Sequence, residues 1–172
     1  MFKDSKTFPI LITERLTLRQ LSKSDAEQIF QLRSDIEINK FLERKPSETI
    51  EDAIRFIERI IENESDLFYW AITKRGNGKL IGTICLFDFS SDEKKCEIGY
   101  ELLSEYQRQG FMHEALKKVT EYANERLRLK KINAITHKDN QSSTGLLLKL
   151  GFKQLEIISD KDPSLILFRL SK

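Results

Sequence analysis

The residues best suited to chemistry are Gln107-Arg108-Gln109-Gly110-Phe111-Met112-His113-Glu114-Ala115. A strand-like segment, Cys96 to Leu103, runs into them, and an amphipathic helix reaching about Leu129 runs out. The first turn of a helix carries backbone N–H groups with no intrahelical acceptor, and the helix dipole adds positive potential there. Gly110 has no Cβ to hold a ligand away from the backbone, and Arg108 can add a charge-assisted contact. Such a junction suits a diphosphate, although an ordinary capped helix start displays the same groups. Two phosphate-binding loops are excluded. No Lys-Ser or Lys-Thr follows the glycine, as a nucleoside triphosphatase requires, and the triple-glycine spacing of a dinucleotide site is missing.

The elements that must position this loop can be read in order. Thr13 to Arg19 alternates Leu16 and Leu18 with polar residues, which predicts a half-buried first strand. Ser24-Asp25 opens a helix with Ala26, Ile29, Phe30 and Leu32 on its apolar stripe. Ile36 to Leu42 continues as a shorter helical piece, and Thr49 to Glu64 shows a strong helical period through Ile50, Ala53, Ile54, Ile57, Ile60 and Ile61. Leu67 to Thr73 and Leu80 to Phe89 are aromatic and β-branched, joined by the turn residues Arg75-Gly76-Asn77-Gly78. With Cys96 to Leu103 they predict three antiparallel strands. Gly99 within the last of these signals a bulge or a close ligand approach.

The helix from Phe111 should bury Met112, Leu116, Val119, Ala123 and Leu127. Ile132 to Thr136 follows as a strand, and the strand–helix–strand spacing predicts a parallel crossover. Asp139 to Ser143 opens a last helix, with Leu146, Leu147 and Leu150 apolar and Gly151 in the left-handed position after its end. Phe152 to Ile158 and Leu165 to Leu170 are two final strands around Asp-Lys-Asp-Pro. The order β-α-α-β-β-β-α-β-α-β-β describes a mixed α+β domain.

Composition narrows the class. The 172 residues suit one domain, 1–172, with a substantial core. A net charge of +2, from 29 basic and 27 acidic residues, gives no support for nucleic-acid or membrane partners. No apolar run approaches the ~20 residues of a membrane span. The N-terminus lacks the pattern of a signal peptide, so a cytoplasmic protein is expected. Cys85 and Cys96 read as buried free thiols, and His113 and His137 are too isolated to suggest a metal site.

The loop resembles the Q/R-x-x-G-x-G/A signature of the GCN5-related N-acetyltransferases. Gln107 and Gly110 fill its first two fixed positions. Met112 replaces the usual small third residue, which is tolerable where the backbone makes the contact and the side chain turns inward. Thr13-Glu14-Arg15-Leu16-Thr17-Leu18-Arg19 is similar to the opening strand of the RimJ/RimL branch, and Glu97-Ile98-Gly99-Tyr100-Glu101-Leu102 to its fourth strand. Asn140-x-x-Ser143 followed by Leu150-Gly151-Phe152 resembles its last helix and the following strand. The resemblance implies a twisted mixed sheet with flanking helices, whose fourth and fifth strands splay apart around acetyl-CoA.

It also implies roles. The amides of Gln107, Arg108, Gln109, Gly110, Phe111 and Met112 would hold the pyrophosphate. The backbone of Glu101, Leu102 and Leu103 would pair with the pantetheine arm as an added strand does. Asn140 would hydrogen-bond the cofactor near its reactive end and Ser143 would face the thioester, although both residues equally suit helix capping. Leu147 occupies the position where many relatives carry a tyrosine general acid, so that acid is absent.

Transfer requires a deprotonated amine. At pH 7 this costs about 1 kcal/mol for an α-amine (pKa ~7.7–8.0) but roughly 4–5 kcal/mol for a lysine (pKa ~10.4). Glu97 and Glu101 share one strand face, and either could relay the proton through water or be a solvated residue. The expected reaction is acetylation, without a metal, of a protein or peptide N-terminus, a ribosomal protein among the candidates. The alternatives are a small-amine transferase for polyamines, amino acids or antibiotics, and a non-catalytic acyl-CoA sensor. The expected assembly is a monomer or homodimer.

Overall fold

The computed structural model describes residues 7–63, 66–157 and 162–172. One eight-stranded sheet runs in the order β1-β2-β3-β4-β5-β6-β8-β7. Its strands are β1 (Leu11–Ile12), β2 (Leu16–Gln20), β3 (Phe68–Lys74), β4 (Leu80–Ser90), β5 (Lys95–Leu102), β6 (Lys131–His137), β7 (Lys153–Ile157) and β8 (Leu165–Ser171). Every neighbouring pair is antiparallel except β5 and β6, the parallel pair joined by α4 (Phe111–Glu125). The fold is thus the mixed architecture expected, including its one parallel crossover.

The predicted first strand begins only at Leu16, and a short strand that was not expected, β1, precedes it. Thr13 N–H donates to the Leu16 carbonyl at 3.0 Å, and Leu16 N–H donates back to Thr13 Oγ1 at 2.9 Å. This closes a tight turn that sets Leu11 opposite Leu18. The first helix, α1 (Ala26–Ser34), starts later than expected because a 3-10 turn, Lys23–Asp25, precedes it with Ser22 as cap. Asp25 is buried there and receives two hydrogen bonds from Arg19, at 2.7 and 2.8 Å.

The second piece, α2, is only Ile36–Asn39. The third, α3 (Ile50–Ile61), has the capping box of Thr49 and Asp52. Its predicted end at Glu64 lies outside the described residues, as do Ile158 and the first half of the Asp-Lys-Asp-Pro turn. Helix α4 stops four residues short of Leu129. Arg128 takes a left-handed φ of 58°, which folds the chain back and buries Leu129. The last helix, α5 (Gln141–Lys149), ends at Gly151 with φ 84°, the conformation expected there.

Two cores cover the two sheet faces. Leu16, Leu18, Trp70, Ile84 and Ile98 pack with Ala115, Leu116 and Val119 of α4 and Leu147 of α5. On the other face Ala71 and Leu103 meet Ile29 and Leu32 of α1 and Ala53 and Ile57 of α3. Gly99 is not a bulge: it pairs regularly with Cys85, and the register shifts instead between Phe87 and Ser90. A Cβ at Gly99 would lie 3.3 Å from Cys85 Sγ and 3.4 Å from the Phe87 ring, so glycine makes room for those side chains. Gly82 is tighter still, with Glu101 O 2.5 Å from where its Cβ would be. Both cysteines are free, Cys96 buried but Cys85 only half-buried.

Candidate active site

The sheet opens where the site was expected. Strands β5 and β6 pair only from Lys95–Lys131 to Glu97–Asn133, then diverge. Beyond that point β6 continues to bond β8 on its other side, while one edge of β5 faces a gap. Leu103 N–H donates to Ile81 O on β4 at 2.9 Å. Because strand peptides alternate in direction, the Glu101 peptide also points to β4, while those of Tyr100 and Leu102 face the gap. Of the three residues expected to pair with a pantetheine arm, Leu102 is therefore the one presented. Its carbonyl already accepts from Gln107 Nε2 at 2.9 Å, which ties the gap edge to the loop beyond.

That loop has the form of an anion cradle. Arg108 and Gly110 both take left-handed φ, 60° and 80°, and Gly110 is the N-cap of α4. Successive N–H groups then converge as in an anion-binding nest. Gln107 is not among them, because its N–H donates to Ser104 O at 3.2 Å. The backbone amides of Arg108, Gln109, Gly110, Phe111 and Met112 have no acceptor among the described residues. Met112 turns its side chain into the core, as does Phe111. The donor set therefore fits a diphosphate.

Arg15 clamps this cradle from behind, a role the sequence reading missed. Its backbone N–H and Nε donate to Glu114 at 2.8 and 2.7 Å, and Nη1 donates to Gln109 O at 2.9 Å. The guanidinium lies 4.5 Å from the Phe111 ring centre, and Nη2 is 3.2 Å from where a Gly110 Cβ would sit. Burial alone would raise the pKa of Glu114, but hydrogen bonds from Thr13 and Arg15 outweigh it and hold the carboxyl below its ordinary value. The Thr-Glu-Arg-Leu signature carried the signal, at a sequence distance of 99 residues from Glu114.

The two faces of β5 present different chemistry. On the α4 side, Tyr100 and Ser143 share a hydrogen bond of 2.7 Å between hydroxyls. Burial pushes the Tyr100 phenol up to about 12, so it stays protonated at neutral pH. Ser143 is not the helix cap. Asn140 is, with its Oδ1 accepting Ser143 N–H at 3.2 Å, which leaves the Asn140 amide hydrogens for a ligand and the Ser143 hydroxyl to Tyr100. Leu147, one turn later, is wholly buried in the core.

On the opposite face, Glu101 is held by Arg44 through contacts of 2.6 and 3.2 Å, their side chains 9% and 21% exposed. Tyr69 donates to Thr83 at 3.2 Å, and Thr83 donates to Glu101 at a long 3.4 Å. Burial, with Glu101 nearby, raises both the Tyr69 phenol and the Cys85 thiol, the latter to about 12, so neither ionises near neutrality. Arg44 and Phe41 make the segment after α2 a roof over the gap, since Phe41 stacks on His137 of β6 at 5.1 Å.

Glu97 shares the Glu101 face but sits where β5 and β6 are still paired. The two are roughly 14 Å apart along the strand, at about 3.4 Å per residue, so they cannot serve the same atom. Burial raises the pKa of Glu97, with the charge of Asp88 adding to it. Among the described residues no cluster of three or more His, Cys, Asp or Glu could hold a metal, and no helix is long and apolar enough to cross a membrane.

A strand pair splayed beside an amide cradle, under a mixed sheet of this order, is the arrangement of one acetyltransferase class. Residues 15–153 match the family described as acetyltransferase (GNAT) domain, and the chain belongs to that family. It is 39% identical to the uncharacterized N-acetyltransferase YoaA of Bacillus subtilis (strain 168), over 86% of this chain and 84% of that protein. Among solved structures it superposes on RimL, the ribosomal L7/L12 alpha-N-protein acetyltransferase, with TM-score 0.82 at 16% identity, covering 95% of this chain and 94% of the other. It also superposes on the microcin C7 self-immunity acetyltransferase MccE in complex with acetyl-CoA and AMP, with TM-score 0.76 at 22% identity over 93% and 94%. The protein is an N-acetyltransferase.

Proposed function

We propose that the chain transfers the acetyl group of acetyl-CoA to the α-amine of a protein or peptide N-terminus. The observation that carries this reading is the gap between β5 and β6, with five unpaired amides at one end and a hydroxyl pair and a carboxylate on its two faces. Arg108 to Met112 would hold the pyrophosphate, the Leu102 peptide the pantetheine arm, and the Asn140 amide the region near the thioester. Acetyl-CoA supplies an acetyl group already activated as a thioester.

The chain's own residues then divide the work. Glu101, on the roofed face, takes the amine proton through water, which asks little of a carboxylate when the amine pKa is ~7.7–8.0. Glu97 lies at the closed end of the gap and is the less favoured base. Ser143 donates a hydrogen bond to the sulfur as negative charge builds on it, and Tyr100 donates to Ser143 so that the serine proton points outward. A thiol of pKa ~8.5 leaves as a stabilised thiolate without full protonation.

The likeness to RimL, described as acting on an alpha-N-protein terminus, supports the acceptor class. Arg44 already pairs with Glu101, so the carboxylate on this face is not free to hold a polycation. The test is acetyl-CoA turnover with an amine panel of N-terminal peptides, spermidine, free amino acids and an aminoglycoside. Peptide α-amines should be acetylated fastest. Faster turnover of a small amine would overturn the acceptor assignment, and binding without any turnover would favour an acyl-CoA sensor.

A further inference from the structure

A groove of about 670 Å³ runs between the end of α1, the segment around Pro46 and α3. Arg33 lines it, and its Nε is buried without any hydrogen-bond partner. The Arg33 guanidinium lies 4.0 Å from the Phe56 ring centre, which sets the orientation of its planar fork. The other charges of the groove are largely matched. Arg55 pairs with Asp52, Lys45 with Glu48, and Glu58 with Lys23. Among the described residues no carboxylate lies within ion-pair distance of Arg33 or of its neighbour in the groove, Arg59.

Arg33 as a whole is half-buried, but its Nε–H is shut off from water with no acceptor, and a buried polar group left unsatisfied calls for an explanation. Its surroundings do not supply one. Burial and the nearby positive charge of Arg44 disfavour the charged form of Arg33 and outweigh the favourable charge of Glu101. A carboxylate satisfies a guanidinium fork with two parallel hydrogen bonds, and desolvation strengthens that pair. Position also ties the groove to the reaction. Leu32, the residue before Arg33, accepts at its carbonyl from Arg44, the same guanidinium that holds Glu101.

We propose that this groove is a subsite for an acidic side chain of a peptide acceptor, its carboxylate meeting Arg33 and Arg59. The proposal rests on the peptide-amine reading given above. It adds a preference for glutamate or aspartate downstream of the acetylated residue. Asp52 and Glu58 on the same groove are already paired with Arg55 and Lys23, which lowers their repulsion toward a carboxylate bound by Arg33 and Arg59. The volume exceeds what one free carboxylate fills and lies in the range of ligand pockets.

The test is fluorescence anisotropy with labelled, N-acetylated tri-glutamate and tri-glutamine peptides, which cannot serve as acceptors and so report the groove alone. The glutamate peptide should bind at least ten times more tightly, and added salt should weaken it. Arg33→Gln and Arg59→Gln should each remove most of that difference at unchanged melting temperature. Arg59 is exposed, so its variant remains informative if Arg33→Gln folds poorly. Equal affinity for the two peptides, or variants that bind as the parent does, would overturn the subsite. Displacement by equimolar glutarate would overturn the peptide source in favour of a small carboxylate. Acetylation of the amine panel is scored separately, so a wrong acceptor class and a wrong subsite give different results.

Discussion

Replacing Ser143 by alanine tests the assignment of the leaving-group contact, and the surrounding geometry says how. The Ser143 hydroxyl is bonded to Tyr100 at 2.7 Å and takes no part in capping α5. The cap is the bond from Ser143 N–H to Asn140 Oδ1, which alanine retains. Ser143→Ala should therefore not show the roughly 1 kcal/mol loss of a removed cap, whereas Asn140→Ala should. A hydrogen bond to a sulfur gaining charge is worth about 1–3 kcal/mol. At about 1.4 kcal/mol per factor of ten, kcat should fall between ~5-fold and ~150-fold, with KM for acetyl-CoA little changed.

Tyr100→Phe should reproduce part of that loss. The double variant should be no worse than Ser143→Ala, because the phenol acts only through the serine. The assay is release of free thiol with acetyl-CoA and a peptide amine, followed with a chromogenic disulfide. Unchanged kcat in Ser143→Ala would refute the contact. Additive losses in the double variant would show that Tyr100 acts independently of Ser143.

Glu101→Gln should lower kcat while leaving CoA affinity nearly intact, and the loss should shrink as pH rises toward the pKa of the amine; a flat ratio across pH would leave the proton to solvent or another group. Glu97→Gln, at the closed end of the gap, should change that profile much less, and the reverse order would exchange the two assignments. Glu114 and Asp52 both titrate below their ordinary values, Asp52 at about 2 under hydrogen bonds from the Glu48 and Thr49 amides. Groups depressed in the folded state contribute stability above their unfolded pKa values and lose it as pH falls through the folded ones. Melting temperature should thus begin to drop near pH 4 and continue falling toward pH 2, and Glu114→Gln should flatten the upper part of that decline.

Much of this arrangement was legible because it is local. The isoleucines of α3 repeat at helical spacing, the turn at Gly76 separates two β-branched runs, and Gly151 stands where left-handed backbone was expected. Local chemistry also misled where two structures fit one pattern. Thr13 to Arg19 reads as one strand until the Thr13 side chain folds it into a turn. Gly99 reads as a bulge or a close ligand approach; it is no bulge, and its missing Cβ makes room for Cys85 and Phe87.

What could not be read is what joins distant segments. Arg44 meets Glu101 across 57 residues, Tyr100 meets Ser143 across 43, and Arg15 meets Glu114 across 99. Nothing in the spacing of a single chain encodes such pairs. They decide which glutamate is ion-paired and which two hydroxyls bond each other. The availability of Leu102 rather than Leu103 likewise follows from the register of β4 against β5, which a shift of one residue would reverse.

The central claim is that acetyl-CoA lies in the β5–β6 gap with its diphosphate on the amides of Arg108 to Met112. Calorimetric titration of acetyl-CoA into the parent protein, Gly110→Ala and Gly110→Glu tests it most directly. At φ 80° any side chain strains the loop, so alanine measures that strain while glutamate adds bulk and negative charge against the diphosphate. The account predicts binding to the parent, weaker binding to Gly110→Ala and almost none to Gly110→Glu, with all three proteins folded. Equal affinity for the parent and Gly110→Glu would contradict it.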